Sequence, residues 1–121
     1  MVVRLKGALI EEISETETAR LRSIRIGLKP EGAVLTLELP EALCDTFKTR
    51  EDVNVIIDDK PIARGESARF YGEGRVFKVN REDNFEVIGT IGGLRLDLHL
   101  AKPTPSQKKT FDSERFFIAI L

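Results

Sequence analysis

The sequence is poor in the residues that build cross-links and metal sites. Its 121 residues include one cysteine, one histidine, one methionine and no tryptophan. A single cysteine cannot form a disulfide within the chain, which excludes a secreted disulfide-rich scaffold. Only Cys44 and His99 could supply thiolate or imidazole ligands, too few for a structural zinc site. We therefore predict neither a metal nor a cofactor.

An excess of charge of one sign is also missing. The chain has 19 Lys and Arg against 20 Asp and Glu, a formal net charge of −1, which argues against binding nucleic acid through charge alone. No apolar run approaches the ~18 residues that span a bilayer. Residues 1–6 alternate apolar and basic side chains and lack the apolar stretch of a signal peptide. We expect a cytoplasmic protein with a single domain over residues 1–121.

Alternation of apolar and polar residues dominates the chain, and helical periodicity is scarce. It predicts strands at residues 3–9, 22–28, 34–39, 53–57, 70–79, 85–91, 94–100 and 115–121. Tight turns are predicted at Lys29–Gly32, residues 81–84 and Gly92-Gly93, since proline and glycine favour turn conformations. The acidic residues 11–18 are predicted to form an exposed loop, and residues 101–114 an exposed connection. A helix of about two turns is predicted from Pro40 to Phe47.

Short strands separated by turns predict an all-β fold, an OB-like antiparallel barrel of about eight strands with one short helix. A closed barrel leaves no exposed strand edge and fills its interior with side chains. No internal repeat is visible in the sequence. In the first strand, we expect Val3, Leu5 and Leu9 to share one face. The large core residues are predicted to be Phe70, Phe77, Phe85, Phe116 and Phe117.

Cys44 and His99 are the only plausible nucleophile and base for cysteine-based catalysis. A cysteine nucleophile needs a base that generates the thiolate. The alternation of residues 94–100 places His99 on the outer face, beside Arg95 and Asp97, with no sign of pairing with Cys44. We predict an inert, buried cysteine and no catalytic residue. An enzyme stays an alternative that depends on these two side chains.

Glycine and carboxylate patterns provide weaker signals. Gly72-Glu73-Gly74 begins like a dinucleotide-binding fingerprint, but the third glycine and the following helix are missing, so a bulge or bend in a strand is favoured. The adjacent carboxylates Glu11-Glu12, Asp58-Asp59 and Glu82-Asp83 each fall at a predicted turn or loop. General acid–base chemistry needs carboxylates that converge in a cleft. We interpret these pairs as solvated surface charge.

Basic and aromatic residues near the strand at 70–79 raise the alternative of nucleic-acid binding. OB-type barrels bind single strands through a basic groove with aromatic stacking platforms. Arg69, Tyr71, Arg75 and Lys78 are the candidates here. Aromatic residues make up only 7% of the chain, and most of them are predicted to face inward. A free-standing single-strand-binding protein is thus an alternative, and core packing is the favoured role of the phenylalanines.

A larger pattern resembles one protein family. Gly74–Val79 reads Gly-x-apolar-aromatic-basic-apolar, and Val87–Leu96 is a strand leading into Gly-Gly-Leu and a strand of apolar residues and Arg. Leu35–Leu39, followed by Leu43, adds a Leu-Thr-Leu-acidic strand and a short segment. Together these resemble the small barrel subunit shared by archaeal and eukaryotic nuclear RNA polymerases. The loop at residues 58–69 lacks the long insertion of the eukaryotic members and is similar to the archaeal form.

The resemblance implies an OB-type barrel without catalysis of its own, which docks on the largest polymerase subunit and supports assembly. The partner would be protein, with little or no contact to nucleic acid, and neither a membrane nor a small-molecule substrate is expected. Protein interfaces concentrate aromatic and Arg side chains at their centre. The predicted interface consists of the outward-facing Tyr71 and Arg95 and the face flanking Gly92, Gly93 and Leu94.

Overall fold

The chain forms eight β-strands, as seen in a computed structural model that describes residues 2–81 and 84–121. The strands are β1 (Val2–Glu15), β2 (Leu21–Leu28), β3 (Ala33–Pro40), β4 (Asp52–Asp58), β5 (Phe70–Asn80), β6 (Phe85–Ile91), β7 (Leu94–Leu100) and β8 (Arg115–Ile120). Two short α-helices accompany them in the described ranges, α1 (Glu41–Cys44) and α2 (Pro105–Lys109), with 3₁₀ turns at Lys29–Glu31 and Ala63–Ser67.

The strands close into one antiparallel barrel in the order β1-β2-β3-β7-β6-β5-β8-β4. β1, β2 and β3 form a meander, and β4 returns to pair with β1. β5, β6 and β7 repeat this arrangement, and β8 returns to pair with β5. Each half is therefore a Greek key, joined to the other through the β3–β7 and β4–β8 pairs. The all-β, OB-like barrel is confirmed, and its topology repeats although the sequence does not.

The alternation of the predicted strands sets most of the core. Leu35, Leu37 and Leu39 on β3 are almost completely buried, as predicted, and polar residues lie between them. β8 is buried on both faces from Phe116 to Ile120, which confirms the interpretation of its unbroken apolar run. The turn at Lys29–Gly32 is also confirmed, with Gly32 in the left-handed conformation. Residues 82 and 83, including the Glu82-Asp83 pair, lie outside the described residues.

A β-bulge in β1 makes the prediction for Leu9 wrong. The pairing of β1 with β4 shifts between Leu5 and Ala8, where Gly7 has a φ of +70°. The Gly7 N–H donates a hydrogen bond of 2.8 Å to Asn54 Oδ1. The extra residue reverses the faces that follow, so Ala8 is buried and Leu9 is 36% exposed.

The acidic stretch is strand where a loop was predicted. β1 continues to Glu15, and only residues 16–20 connect it to β2. The Glu11 carboxylate accepts a hydrogen bond of 3.2 Å from Arg25 Nε, and Glu12 lies 3.3 Å from Arg25 Nη2. Cross-strand pairs of opposite charge stabilise neighbouring strands. Arg25 on β2 therefore stabilises the acidic residues of β1 in the extended strand.

A bulge in β5 makes the prediction for Phe77 wrong. The pairing of β5 with β6 shifts between Val76 and Lys78, and the intervening Phe77 is 79% exposed. The other predicted aromatic core residues are buried or pack against the core. Phe111 fills part of the interior instead, with its ring centroid 6.1 Å from Phe85 and 6.3 Å from Phe116.

The helices differ from the single two-turn helix that was predicted. α1 has four residues and ends at Cys44, although a further turn follows in which the Phe47 N–H donates to the Cys44 carbonyl at 3.0 Å. α2 lies inside the predicted exposed connection. Its capping box joins Thr104 and Gln107, which exchange side-chain and backbone hydrogen bonds.

Candidate interaction surface

The predicted interface residues lie on β5, on β7 and in the turn between β6 and β7. Arg75 on β5 is paired with Thr90 on β6, and Thr90 with Arg95 on β7. Arg75 also faces Arg115 on β8. All four side chains are exposed, so three arginines share one row across neighbouring strands. We call Arg75, Arg95 and Arg115 the arginine row.

The Gly92-Gly93 turn projects from this surface. Both glycines are exposed and have positive φ, +57° and +86°. Two consecutive positive φ values are typical of the type I′ turn, whose twist matches that of the flanking strands. The predicted tight turn is confirmed. Leu94, directly after it, is half-buried and presents only part of its side chain to solvent.

Arg95 is held by acidic neighbours. Its backbone N–H donates to Glu38 Oε1 at 3.0 Å, and its Nε lies 3.2 Å from both carboxylate oxygens of Asp97. These contacts orient the guanidinium along the outer face of β7 and offset its charge. An arginine oriented in this way is suited to a polar contact at the rim of an interface.

Tyr71 mainly supports the fold. Its ring stacks on Phe117 with a centroid distance of 6.4 Å, and its hydroxyl accepts a hydrogen bond of 3.2 Å from the Ile62 N–H. A Cβ on Gly65 would lie 2.5 Å from the ring. Tyr71 therefore holds the segment at residues 62–65 over the outer face of β8, although 40% of it stays exposed.

Phe77 is the surface residue that the sequence analysis missed. The bulge directs Phe77 and Lys78 consecutively outward, and Val76 and Val79 pack against the core on either side. The available signal was the three-residue spacing of these valines, which strict alternation does not allow. Neither Arg75 nor Lys78 forms an ion pair within residues 2–81 and 84–121. An exposed aromatic ring thus stands beside two cations whose charge is not offset there.

The remaining nucleic-acid candidate, Arg69, is also engaged in the fold. Its Nη1 donates to Glu51 Oε1 at 2.7 Å and to the Thr46 carbonyl at 3.2 Å, and Nη2 donates to the Leu121 carbonyl at 3.3 Å. The guanidinium also lies over the Phe47 ring, 5.2 Å from its centroid. Arg69 joins three segments of the chain and is not a free cation.

Cys44 and His99 do not come together. The buried Cys44 thiol lies 3.8 Å from the Leu39 carbonyl, and burial raises its pKa. His99 is paired with Val34, five residues from Leu39 along β3, which is roughly 17 Å at ~3.3 Å per residue. A thiol with a raised pKa and no nearby base is a poor nucleophile.

No three His, Cys, Asp or Glu side chains in residues 2–81 and 84–121 group in a way that could hold a metal ion. No helix in this part of the chain is long and apolar enough to cross a membrane. In comparisons with known proteins, no family model matches the chain and no curated protein matches it.

Proposed function

We propose that this protein is a non-catalytic structural subunit of a multisubunit DNA-dependent RNA polymerase and docks on the largest subunit. The proposal starts from the resemblance of Gly74–Val79 and Val87–Leu96 to the small barrel subunit of these enzymes. The fold supports it, because the two segments are neighbouring strands that lead into one exposed hairpin. The observation that carries it is the exposure of Phe77 within that region.

Covering the exposed ring of Phe77 with a partner surface would be favourable. Burying such a side chain contributes roughly 1.5–3 kcal/mol, and Phe77 leaves 79% of its surface in solvent. β-bulges redirect side chains and are enriched at functional positions. Since the bulge places Phe77 outward while its neighbours Val76 and Val79 stay packed, Phe77 is suited to be the anchor of a protein interface.

The surroundings of Phe77 define the partner's chemistry. Arg75 and Lys78 flank the ring, whereas Asp97 and Glu73 offset the charges of Arg95 and Arg115 in the same row. A complementary surface would offer an apolar pocket for the ring and carboxylates for the flanking cations. The rigid barrel keeps this arrangement preformed, which lowers the entropic cost of docking.

Affinity capture from cells of the source organism tests the proposal. The tagged chain should recover the largest polymerase subunit, and Phe77→Ala should recover much less. Leu9→Ala is the matched control, since Leu9 is the large exposed apolar residue on β1, three strands from β5 around the barrel. Capture of no polymerase subunit by the wild-type chain would overturn the proposal.

Binding of single-stranded nucleic acid is a second candidate, and the same surface favours it. A stacking platform needs an aromatic ring beside cations, and Phe77 with Arg75 and Lys78 provides both. Oligonucleotide binding measured over a range of salt concentrations decides between the two. Affinity tighter than ~10⁻⁶ M that is lost in Phe77→Ala supports this candidate, whereas only the ~10⁻⁴–10⁻⁶ M of non-specific contact contradicts it.

A further inference from the structure

We propose that a cleft on the outer face of β1 and β4 binds a small oxyanion of the phosphate class. The cleft has a volume of about 210 Å³ and lies away from the arginine row. It is lined by Arg4, Leu5, Lys6, Asn54, Val55, Ile56 and Arg64. No acidic residue is among these, and the site does not depend on the proposed polymerase function.

Three segments of the chain build the cleft. Arg4 on β1 is paired with Ile56 on β4, so both belong to one row of the outer face. Lys6 directly precedes the bulged Gly7, and the 3₁₀ turn at Ala63–Ser67 brings Arg64 to the same cleft. The cations therefore converge from elements that the barrel holds in fixed positions.

Asn54 contributes neutral hydrogen-bond donors. Its Oδ1 accepts the Gly7 N–H at 2.8 Å, and its backbone N–H and carbonyl exchange hydrogen bonds with Leu121. The amide is thus oriented by the fold, with its Nδ2 group opposite the oxygen that Gly7 engages. An amide NH₂ provides two donors, which complement the charged donors of the surrounding side chains.

The cations of the cleft lack ion-pair partners within the described residues, as Arg75 and Lys78 also do, and here three of them line one concave site. Within the described residues, Arg22, Arg25, Arg69, Arg81, Arg95 and Arg115 all have acidic partners. Arg4, Lys6 and Arg64 have none there. The carboxylates two residues from lining residues along these elements, Asp52, Asp58 and Glu66, do not line the cleft. Cations placed together without acidic partners repel each other, and a bound anion would offset this repulsion.

The volume of the cleft and its hydrogen-bond donors indicate the class of ligand. Pockets for drug-sized ligands are about 300–1,000 Å³, so a cleft of about 210 Å³ suits a small group. Guanidinium groups match the oxygens of phosphate bidentately. Three cations fit a dianion better than the single charge of a carboxylate. The ligand is therefore free phosphate or the terminal phosphate of a larger molecule.

Titration of the ¹⁵N-labelled full chain at low ionic strength tests the site. Inorganic phosphate should shift the Asn54 side-chain amide and the Gly7 backbone amide saturably, with a Kd of ~1 mM or tighter. Sulfate should compete, and chloride at equal ionic strength should not. Adenosine monophosphate in a parallel titration distinguishes the sources: tighter binding than phosphate indicates a phosphate monoester, and weaker binding indicates the free ion.

Arg64→Gln should weaken phosphate binding by about tenfold or more, because it removes one of three converging charges. The matched control is Lys102→Gln, an exposed cation outside the cleft. Absence of a saturable shift at Asn54 and Gly7 in the wild-type chain would overturn the proposal. Equal weakening by Lys102→Gln would also overturn it, since binding would then follow net charge alone.

Discussion

The ring of Phe116 lies directly against the backbone of Gly74. A Cβ on Gly74 would collide with this ring and would lie 2.7 Å from the Thr90 carbonyl oxygen. Gly89 on the neighbouring strand is similar, since its Cβ would lie 2.8 Å from the Arg75 carbonyl oxygen and 3.0 Å from Phe116 Cε1. The two glycines make room for a completely buried ring. Gly74 is thus a packing feature. No bulge occurs at Gly72–Gly74, where one was favoured, since β5 pairs regularly with β8 from Phe70 to Arg75; the bulge in β5 lies at Phe77.

Gly74→Ala should destabilise the barrel by about 1–3 kcal/mol, the usual cost of overpacking a core. Gly72→Ala is the matched control on the same strand, because its Cβ would meet only side chains, at 3.0 Å from Ile91 and 3.4 Å from Phe70. Urea denaturation gives both free energies of unfolding. Equal stability of the two variants would contradict the close packing of Phe116 on Gly74.

Phe77→Ala should leave the free energy of unfolding within about 0.5 kcal/mol of wild type, as for most surface substitutions. Phe116→Ala, which empties a completely buried site, should cost about 3–5 kcal/mol. Thermal or urea denaturation measures both. A large loss of stability in Phe77→Ala would show that the ring packs inward and would remove the main support for the docking surface.

Gly92→Ala and Gly93→Ala should each destabilise the barrel by about 1–2 kcal/mol, because a Cβ is unfavourable in the left-handed region. Gly92→Asn should cost less, since Asn accepts this conformation in type I′ turns. Nothing lies within 4 Å of a Cβ at either glycine, so the effect is one of backbone conformation. Equal denaturation midpoints for Gly92→Ala and Gly92→Asn would contradict the turn assignment.

The ion pair between Arg69 and Glu51 should make stability depend on pH in the acidic range. The hydrogen bond from Arg69 holds the pKa of Glu51 below its ordinary value of 4.5, against partial desolvation, and the Lys48 N–H adds to the effect. Because the pKa of Glu51 is lower in the folded state, the ionised carboxylate stabilises the fold at pH values above its unfolded-state pKa. This contribution is lost as the pH falls through the lowered pKa of the folded state. Arg69→Gln should raise the Glu51 pKa in an NMR titration. An unchanged Glu51 pKa in Arg69→Gln would contradict the ion pair between Arg69 and Glu51.

Cys44 should react slowly with thiol reagents in the native protein. Its thiol is buried, and burial raises its pKa, so both access and thiolate fraction are low. Modification by a chromogenic disulfide at neutral pH should become fast only after denaturation. Rapid reaction of the folded chain would reopen the possibility of a cysteine nucleophile.

Much of the barrel could be predicted because its strands are half-buried. The alternation of apolar and polar residues then shows directly which face of a strand lies in the core, as for Leu35, Leu37 and Leu39. The failures at Leu9 and Phe77 share one cause, since each follows or occupies a bulge that adds a residue to one strand. A bulge reverses alternation, and its sequence signal is no more than a glycine or an odd spacing of valines.

The surroundings of the candidate interface residues were only partly predictable, for a related reason. The exposed turn at Gly92-Gly93 and the outward Arg95 follow from composition and alternation. Tyr71 was expected on the surface, but its contact with Gly65 depends on a segment six residues earlier folding over β8. Arg4 and Lys6 on β1 line the same cleft as Arg64 of the 3₁₀ turn, a tertiary arrangement without a local sequence pattern.

The affinity of the purified chain for the largest subunit of the polymerase from the same organism is the most direct measurement. Wild-type chain and Leu9→Ala should bind alike, and Phe77→Ala should bind at least about tenfold more weakly, consistent with the loss of an interface anchor. Absence of binding by the wild-type chain, or binding that Phe77→Ala does not change, would contradict docking of the polymerase through this surface.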